Sequence, residues 1–155
     1  MKVTAYRITK TKYSRTAFDG EGASENAGRW NSVGTRMVYT ASSLCLATLE
    51  MLVHTQNISV IYSLYTVIPI EFDSSLIIDI DPKSVPSDWC NPEPVPATKI
   101  LGDAWIRSGE SVLLKVPSAV TKIEFNFLLN PVHPDFAQIC IGPEFAFEPD
   151  PRFQK

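Results

Sequence analysis

Apolar and polar residues mix at short period from Val3 to Ile8, with Val3, Ala5, Tyr6 and Ile8 around Thr4 and Arg7, which predicts an opening strand. Polarity then takes over. Residues 10–36 carry glycine, serine, threonine and asparagine with almost no aliphatic side chain, and predict a long loop with a few short turns. Loops longer than about 12–15 residues inside a domain are usually functional or disordered, and the embedded Gly28-Arg29-Trp30-Asn31 favours function. Met37-Val38-Tyr39-Thr40 reads as a short strand. Ser42 or Ser43 then offers a side-chain oxygen to cap a helix through Leu44, Leu46, Ala47, Leu49, Met51, Leu52 and Val53. Those apolar residues cover nearly every side, which predicts a buried helix, and Glu50 lies within it.

Ser59 to Ile70 is rich in β-branched and aromatic residues and predicts one long strand, with another from Leu76 to Ile80. The following stretch, residues 81–99, holds five prolines and reads as a surface connection with brief turns. A helix is expected from about Ala97 to Arg107, ended by Gly109. Ser111 to Val116, Glu124 to Leu129, Gln138 to Ile141 and Glu144 to Phe147 complete a strand-rich second half. The pattern is that of an α+β protein with few helices and many short strands.

Length and composition sharpen this picture. At 155 residues, 45% of them hydrophobic, the chain fits a single compact domain spanning residues 1–155. Four of its seven glycines (Gly20, Gly22, Gly28, Gly34) lie early, and all twelve prolines lie from Pro69 onward, so an adaptable front is joined to a stiffened back. A formal net charge of −3 gives no global drive toward nucleic acid or an anionic membrane. The early basic residues Lys2, Arg7, Lys10, Lys12 and Arg15 read as a solvated face. Three widely spaced cysteines, Cys45, Cys90 and Cys140, argue against a disulfide framework and read as small buried hydrophobes in a reducing compartment. The N-terminus has no signal-peptide core and no run has membrane-helix length, so a cytoplasmic protein is expected.

Most general catalytic motifs are missing. There is no phosphate-binding G-x-x-x-x-G-K-[ST], no G-x-G-x-x-G, no C-x-x-C and no H-E-x-x-H, and with only His54 and His133 a three-histidine metal site is excluded. Ser118 has no nucleophile-elbow context. What remains is Arg29 after a glycine, Tyr39 on a strand, Glu50 on a helix, and small polar groups at Ser118, Asn126 and Asn130. The guanidinium of Arg29 is a planar fork suited to phosphate oxygens or a hydroxyl pair, with Gly28 letting backbone approach a ligand. Tyr39 offers a flat face and a hydroxyl. Burying an unpaired carboxylate costs several kcal/mol, so Glu50 needs a partner or a function. An ionised glutamate stabilises positive charge at an anomeric carbon. Each residue also has a plain structural alternative. Arg29 would be a loop salt bridge, Tyr39 ordinary strand core, and Glu50 part of a polar stripe with Ser43, Thr48 or His54. Ser118 and Asn130 would be turn residues, and His54 and His133 core or surface histidines.

Three runs carry a resemblance: Gly28-Arg29-Trp30-Asn31-Ser32-Val33-Gly34, Met37-Val38-Tyr39-Thr40-Ala41, and Leu44-x-x-Ala47-x-x-Glu50-Met51-Leu52-Val53-His54. Together with Leu113-Leu114-Lys115-Val116-Pro117-Ser118-Ala119 and Asn126-Phe127-Leu128-Leu129-Asn130-Pro131-x-His133-Pro134, this order of motifs resembles the RES domain, named for its arginine, glutamate and serine. The resemblance implies a fold related to ADP-ribosyltransferases and a toxin of a bacterial toxin-antitoxin pair that depletes NAD. NAD would be the substrate, cleaved between nicotinamide and ribose by water or phosphate, with no metal. It also implies a hetero-oligomer with a DNA-binding antitoxin of the Xre type whose tail blocks the cleft. Arg29, Tyr39, Glu50 and Ser118 match the family's catalytic positions. Arg29, Tyr39, Asn31 and Asn130 are the expected NAD contacts, Asn130 in a supporting role. Transfer of ADP-ribose to a macromolecule, or NAD binding without turnover, are the alternatives.

Overall fold

The computed structural model describes residues 1–153. Its strands are β1 (Lys2–Lys10), β2 (Val38–Ala41), β3 (Tyr65–Asp73), β4 (Ile77–Asp79), β5 (Leu113–Pro117), β6 (Phe125–Leu129), β7 (Cys140–Ile141) and β8 (Phe145–Ala146). The helices are α1 (Glu21–Asn26), α2 (Leu44–Leu52), α3 (Ile61–Leu64) and α4 (Pro96–Ser108). All strands join one sheet in the order β4-β5-β6-β2-β1-β3-β7, with β8 also on β3. Only the β4–β5 pairing is parallel among the described strands. The long β1–β3 ladder runs in register from Lys2 opposite Asp73 to Lys10 opposite Tyr65.

Because side chains alternate across a strand, the sheet has two cores. One face buries Ala5, Val38, Phe72, Leu113, Phe127 and Leu129, with the edge of Phe72 on Phe127 at 5.3 Å. The other face carries Tyr39, Leu114, Val116 and Leu128 under Trp105 of α4, and Ala41, Tyr6 and Ile8 under Leu46 and Ala47 of α2. Tyr39 and Ala41 are two residues apart on β2 and share a face. Helices α4 and α2 therefore lie side by side on that same face, over successive strands.

Sequence signals for α4 and α2 hold. Helix α4 starts with Pro96 in its first turn and stops at Gly109, which adopts the left-handed φ of 59°. Helix α2 is capped by Ser43, whose hydroxyl accepts from the Leu46 N–H at 3.1 Å. It is not, however, a buried helix. Among its residues Leu46 and Ala47 are buried, whereas Leu49 is 43% exposed and Val53, just beyond, 59% exposed. A helix laid on a sheet edge-on to solvent uses one stripe, and the remaining apolar residues stay outside.

Three further readings change. The polar stretch 10–36 contains a 3-10 turn (Thr11–Thr16) and α1, the latter begun by Asp19, whose carboxylate accepts from the Glu21 N–H at 2.8 Å. Neither short helix buries a side chain, so they leave no apolar period. Residues 59–64, expected as strand, are helical from Ile58 on, and the strand begins only at Tyr65. There Asn57 caps the turn and Ile61 is buried with Val67 and Phe147, so tertiary packing overrides β-propensity. Cys45 and Cys140 are exposed and Cys90 is half-buried, so the cysteines are not core residues. The basic N-terminal face also has an exception. The Arg7 guanidinium is buried and donates to the Tyr39 carbonyl at 2.9 Å, and burial pushes its pKa down to about 10 against the pull of Asp19.

Candidate functional site

Glu50 projects from α2 toward the point where β5 ends and β6 begins. Its Oε1 accepts two hydrogen bonds, from Ser118 Oγ at 2.8 Å and from Asn126 Nδ2 at 2.7 Å. Ser118 follows β5 directly and is 0% exposed. Its hydroxyl oxygen also accepts from the Val120 and Thr121 N–H groups at 3.2 and 3.3 Å, which orients the O–H toward Glu50. Asn126 stands opposite Ala41 on one side and Val116 on the other, so it shares the helix-covered face of the sheet. Both donors are neutral and among the described residues no cation forms an ion pair with Glu50, so the carboxylate is fixed in place with its charge uncompensated, and none of Ser43, Thr48 and His54 supplies the contact.

A second cluster forms around Tyr39, one diagonal step from Asn126 on the same face, since Tyr39 pairs with Leu128. Its hydroxyl donates to Asn31 Oδ1 at 2.7 Å and accepts from the Trp30 N–H at 3.1 Å. Burial pushes the phenol well above its ordinary range, with the Trp30 N–H and Arg29 opposing and Asp103 adding. Tyr39 is therefore a neutral phenol. Gly28 is explained here by the protein itself. A Cβ at Gly28 would come within 2.5 Å of the Tyr39 hydroxyl, so the glycine admits Tyr39 rather than a ligand.

Arg29 is oriented by the proline-rich connection. One of its terminal nitrogens, Nη1, donates to the Trp89 and Asn91 carbonyls at 2.7 and 2.9 Å, and Nη2 donates to the Pro92 carbonyl at 3.4 Å. Carbonyls leave the charge intact, and among the described residues no carboxylate forms an ion pair with Arg29. Among the described residues no hydrogen bond engages its Nε. The connection is thus more than surface punctuation, since Val85 and Trp89 pack into the α4 core and their segment is tied to Arg29.

Helix α4 fixes the Arg29 loop at three points of one face. Thr98 donates to the Arg29 carbonyl at 2.6 Å, Gly102 meets the Trp30 carbonyl so closely that a Cβ would overlap it, and Asp103 accepts from the Ser32 N–H at 3.0 Å. Burial opposes the Asp103 charge, but bonds from Ser32 and Thr35 and nearby Arg107 hold its carboxyl below the usual range. Sequence reasoning missed these three residues. A glycine in a helix interior costs about 1 kcal/mol, which was the available signal that Gly102 has a packing purpose.

Two expected ligand contacts sit differently. Asn31 is 0% exposed, and its Nδ2 donates to the Ala23, Ser32 and Thr35 carbonyls. With Oδ1 taken by Tyr39, the side chain has no group left for a ligand. Asn130 lies at the far end of β6 from Asn126, roughly 13 Å along the strand. It is buried, its Oδ1 accepting from the Val132 N–H at 3.2 Å, and it acts as a turn residue. His133 is structural as well: Nδ1 accepts from the Asp135 N–H and Nε2 donates to the Gly109 carbonyl, both at 3.0 Å.

Glu50 from α2, together with Ser118, Asn126 and Tyr39, thus lies on the helix-covered side of the sheet, and Arg29 is tied to α4 on that side through its carbonyl. The sequence matches the RES domain family over residues 4–150. The chain belongs to the RES domain family. It is 40% identical over 149 residues to Toxin Res of Yersinia enterocolitica serotype O:8, covering 93% of this chain and 96% of that protein. It is 37% identical over 127 residues to the Prs ADP-ribosylating toxin of Sphingobium sp. strain YBL2, covering 79% and 78%. The MbcT-MbcA toxin-antitoxin complex of M. tuberculosis contains a chain of the same fold, with a TM-score of 0.77 at 17% identity over 96% of this chain and 85% of that one. The α+β class and its ADP-ribosyltransferase-like architecture hold for this RES domain. Among the described residues no group of His, Cys, Asp and Glu is placed to hold a metal, and no helix is long and apolar enough to cross a membrane.

Proposed function

We propose that this RES protein is the enzymatic toxin of a toxin-antitoxin pair and that it depletes cytoplasmic NAD by breaking the bond between nicotinamide and ribose. The observation that carries the reading is the Glu50 carboxylate, gripped on one oxygen by two neutral donors and therefore a fixed, uncancelled anion. Nicotinamide leaves NAD with the bonding electron pair and becomes neutral, so its departure needs no general acid. What lowers the barrier is a preorganised negative charge beside the cationic ribose carbon. Glu50 supplies that charge, and Ser118 and Asn126 hold it. Arg29 takes phosphate or ribose oxygens with its Nε edge, and neutral Tyr39 presents its ring to the nicotinamide. Asn31 supports Tyr39 from behind. Water or phosphate then adds to the ribose carbon and gives up its proton to solvent.

Incubation of the purified protein with NAD, with and without phosphate, and chromatography of the products tests this. ADP-ribose identifies hydrolysis, a phosphorylated ADP-ribose identifies phosphorolysis, and unchanged NAD defeats the reading. Glu50→Gln keeps the shape and removes the charge, so it is expected to lose most turnover while staying folded. Wild-type turnover in that variant would remove Glu50 from the mechanism. The name of the Sphingobium relative favours a second reading, transfer of ADP-ribose to a macromolecule through the same residues. Mass spectrometry of acceptor proteins after incubation with labelled NAD separates the two. The antitoxin partner is expected to be a DNA-binding protein of the Xre type, a pairing supported by the toxin-antitoxin complex of like fold.

A further inference from the structure

Among the described residues two that are not glycine take a positive φ, Ala27 at 55° and Lys122 at 63°. Lys122 is exposed in the connection from β5 to β6. Ala27 is half-buried, follows α1 directly and stands two residues before Arg29. Its ψ of 165° takes it out of the left-handed helical well and to the border of a region that only glycine enters freely, because a Cβ crowds the neighbouring backbone there.

Tethers on both sides impose that corner. Before it, the Ala27 N–H donates to the Ala23 carbonyl at 2.9 Å. After it, Asn31 Nδ2 donates to the same carbonyl at 2.7 Å and the Gly34 N–H to the Ser24 carbonyl at 2.8 Å, so residues 28–34 leave α1 and return to it. The returning corner is Gly34, whose φ of 92° strains a glycine little. The departing corner is an alanine, and the same kind of reversal is strained there.

We propose that Ala27 is a positioning residue that sets how readily the Arg29 loop opens and closes, an inference whose consequence for turnover rests on the NAD reading. The strain exists only while residues 28–34 lie against α1 and α4. It therefore opposes the closed loop and offsets part of what the bonds to Thr98, Asp103 and the Trp89 and Asn91 carbonyls contribute. Strain of this kind shifts a two-state equilibrium by about 5- to 150-fold. Closed, the loop holds Arg29 for substrate oxygens. Open, it lets go of them and the product leaves, the step that limits many enzymes.

Ala27→Gly removes the crowding methyl group and nothing else. At an unstrained position that change loosens the chain, whereas here it should tighten it. Amide hydrogen exchange reads this without substrate. The N–H groups of Gly28, Trp30, Ser32 and Gly34 donate to the Asn31 carbonyl, the Tyr39 hydroxyl, Asp103 and the Ser24 carbonyl. Their protection should rise about 3- to 30-fold, the strain relieved less the freedom glycine gains, with the β1–β3 ladder unchanged. Ala27→Val puts a β-branched side chain in the same corner and should lower that protection. It should also raise KM for NAD about tenfold at little change in kcat, since saturating NAD recloses the loop. In an Arg29→Lys background the valine substitution should add little, because Ala27 acts through Arg29. Unchanged or faster exchange in Ala27→Gly overturns the proposal, as does a KM increase in Ala27→Val that is equally large in the Arg29→Lys background. If the wild type does not cleave NAD, the NAD-cleavage reading falls and exchange decides the corner alone, slower exchange in Ala27→Gly upholding it and unchanged or faster exchange overturning it.

Discussion

Ser118→Ala removes one of the two donors on Glu50 Oε1 and leaves the Asn126 bond to carry the carboxylate alone. A hydrogen bond to a charged group is worth about 1.5–3 kcal/mol, and if that much orientation energy is lost in the transition state kcat falls about 10- to 160-fold. The variant also takes the acceptor from the Val120 and Thr121 N–H groups. Their loss costs about 1–3 kcal/mol of stability against a typical total of about 5–15, so the protein stays folded at room temperature. Initial rates of nicotinamide release over a range of NAD concentrations, with a thermal melt on the same sample, separate the two effects. Because Ser118 touches Glu50 and no bound group is assigned to it, KM should move little. The Asn126→Ala change should act alike, and the double variant should fall short of the product of the two, since both donors serve one oxygen. A folded Ser118→Ala with kcat within twofold of wild type would refute the idea that a pinned carboxylate drives the reaction.

Gly102→Ala forces a methyl group into the Trp30 carbonyl and is expected to cost about 1–3 kcal/mol, read as a lowered Tm, with activity falling as the Arg29 loop shifts. An unchanged Tm would contradict the close packing of α4 on that loop. Arg29→Lys cannot both bridge the carbonyls of residues 89–92 and present a second edge to a ligand, so KM for NAD should rise at least tenfold, and a normal KM would remove Arg29 from substrate binding. Asp103 has a carboxyl pKa lowered by folding, so its contribution is complete above the unfolded value near 3.9 and is lost as pH falls through the folded one. Asp103→Asn should therefore be less stable at neutral pH and show a flatter acid limb in denaturant midpoints measured from pH 6 to 3. Parallel curves would rule out that coupling.

What the sequence revealed was mostly local. Pro96 and Gly109 bracket α4 through their own backbone preferences, and Ser43 caps α2 within three residues, so both helices were legible. Residues 59–64 read as strand in sequence but fold as helix because the packing of Ile61 against Val67 and Phe147 decides their shape, which no short window contains. The site divides in the same way. Glu50 stood out as a carboxylate in apolar company, but its donors lie 68 and 76 residues further along, beyond any spacing argument. Gly28 and Asn31 looked like ligand contacts because flexible glycines and amides often are. Their actual partner, the Tyr39 hydroxyl, becomes visible only once the loop is closed.

That separation along the chain has a consequence for how the protein is made. A ribosome delivers Glu50 early, yet neither donor exists until residues 118 and 126 have been synthesised and β6 has paired with β2. Until then the carboxylate lacks both donors that fix it, so on the proposed mechanism a product cut short before β6 carries no positioned charge. On that mechanism the site is assembled in a single step, when β6 closes the sheet between β5 and β2.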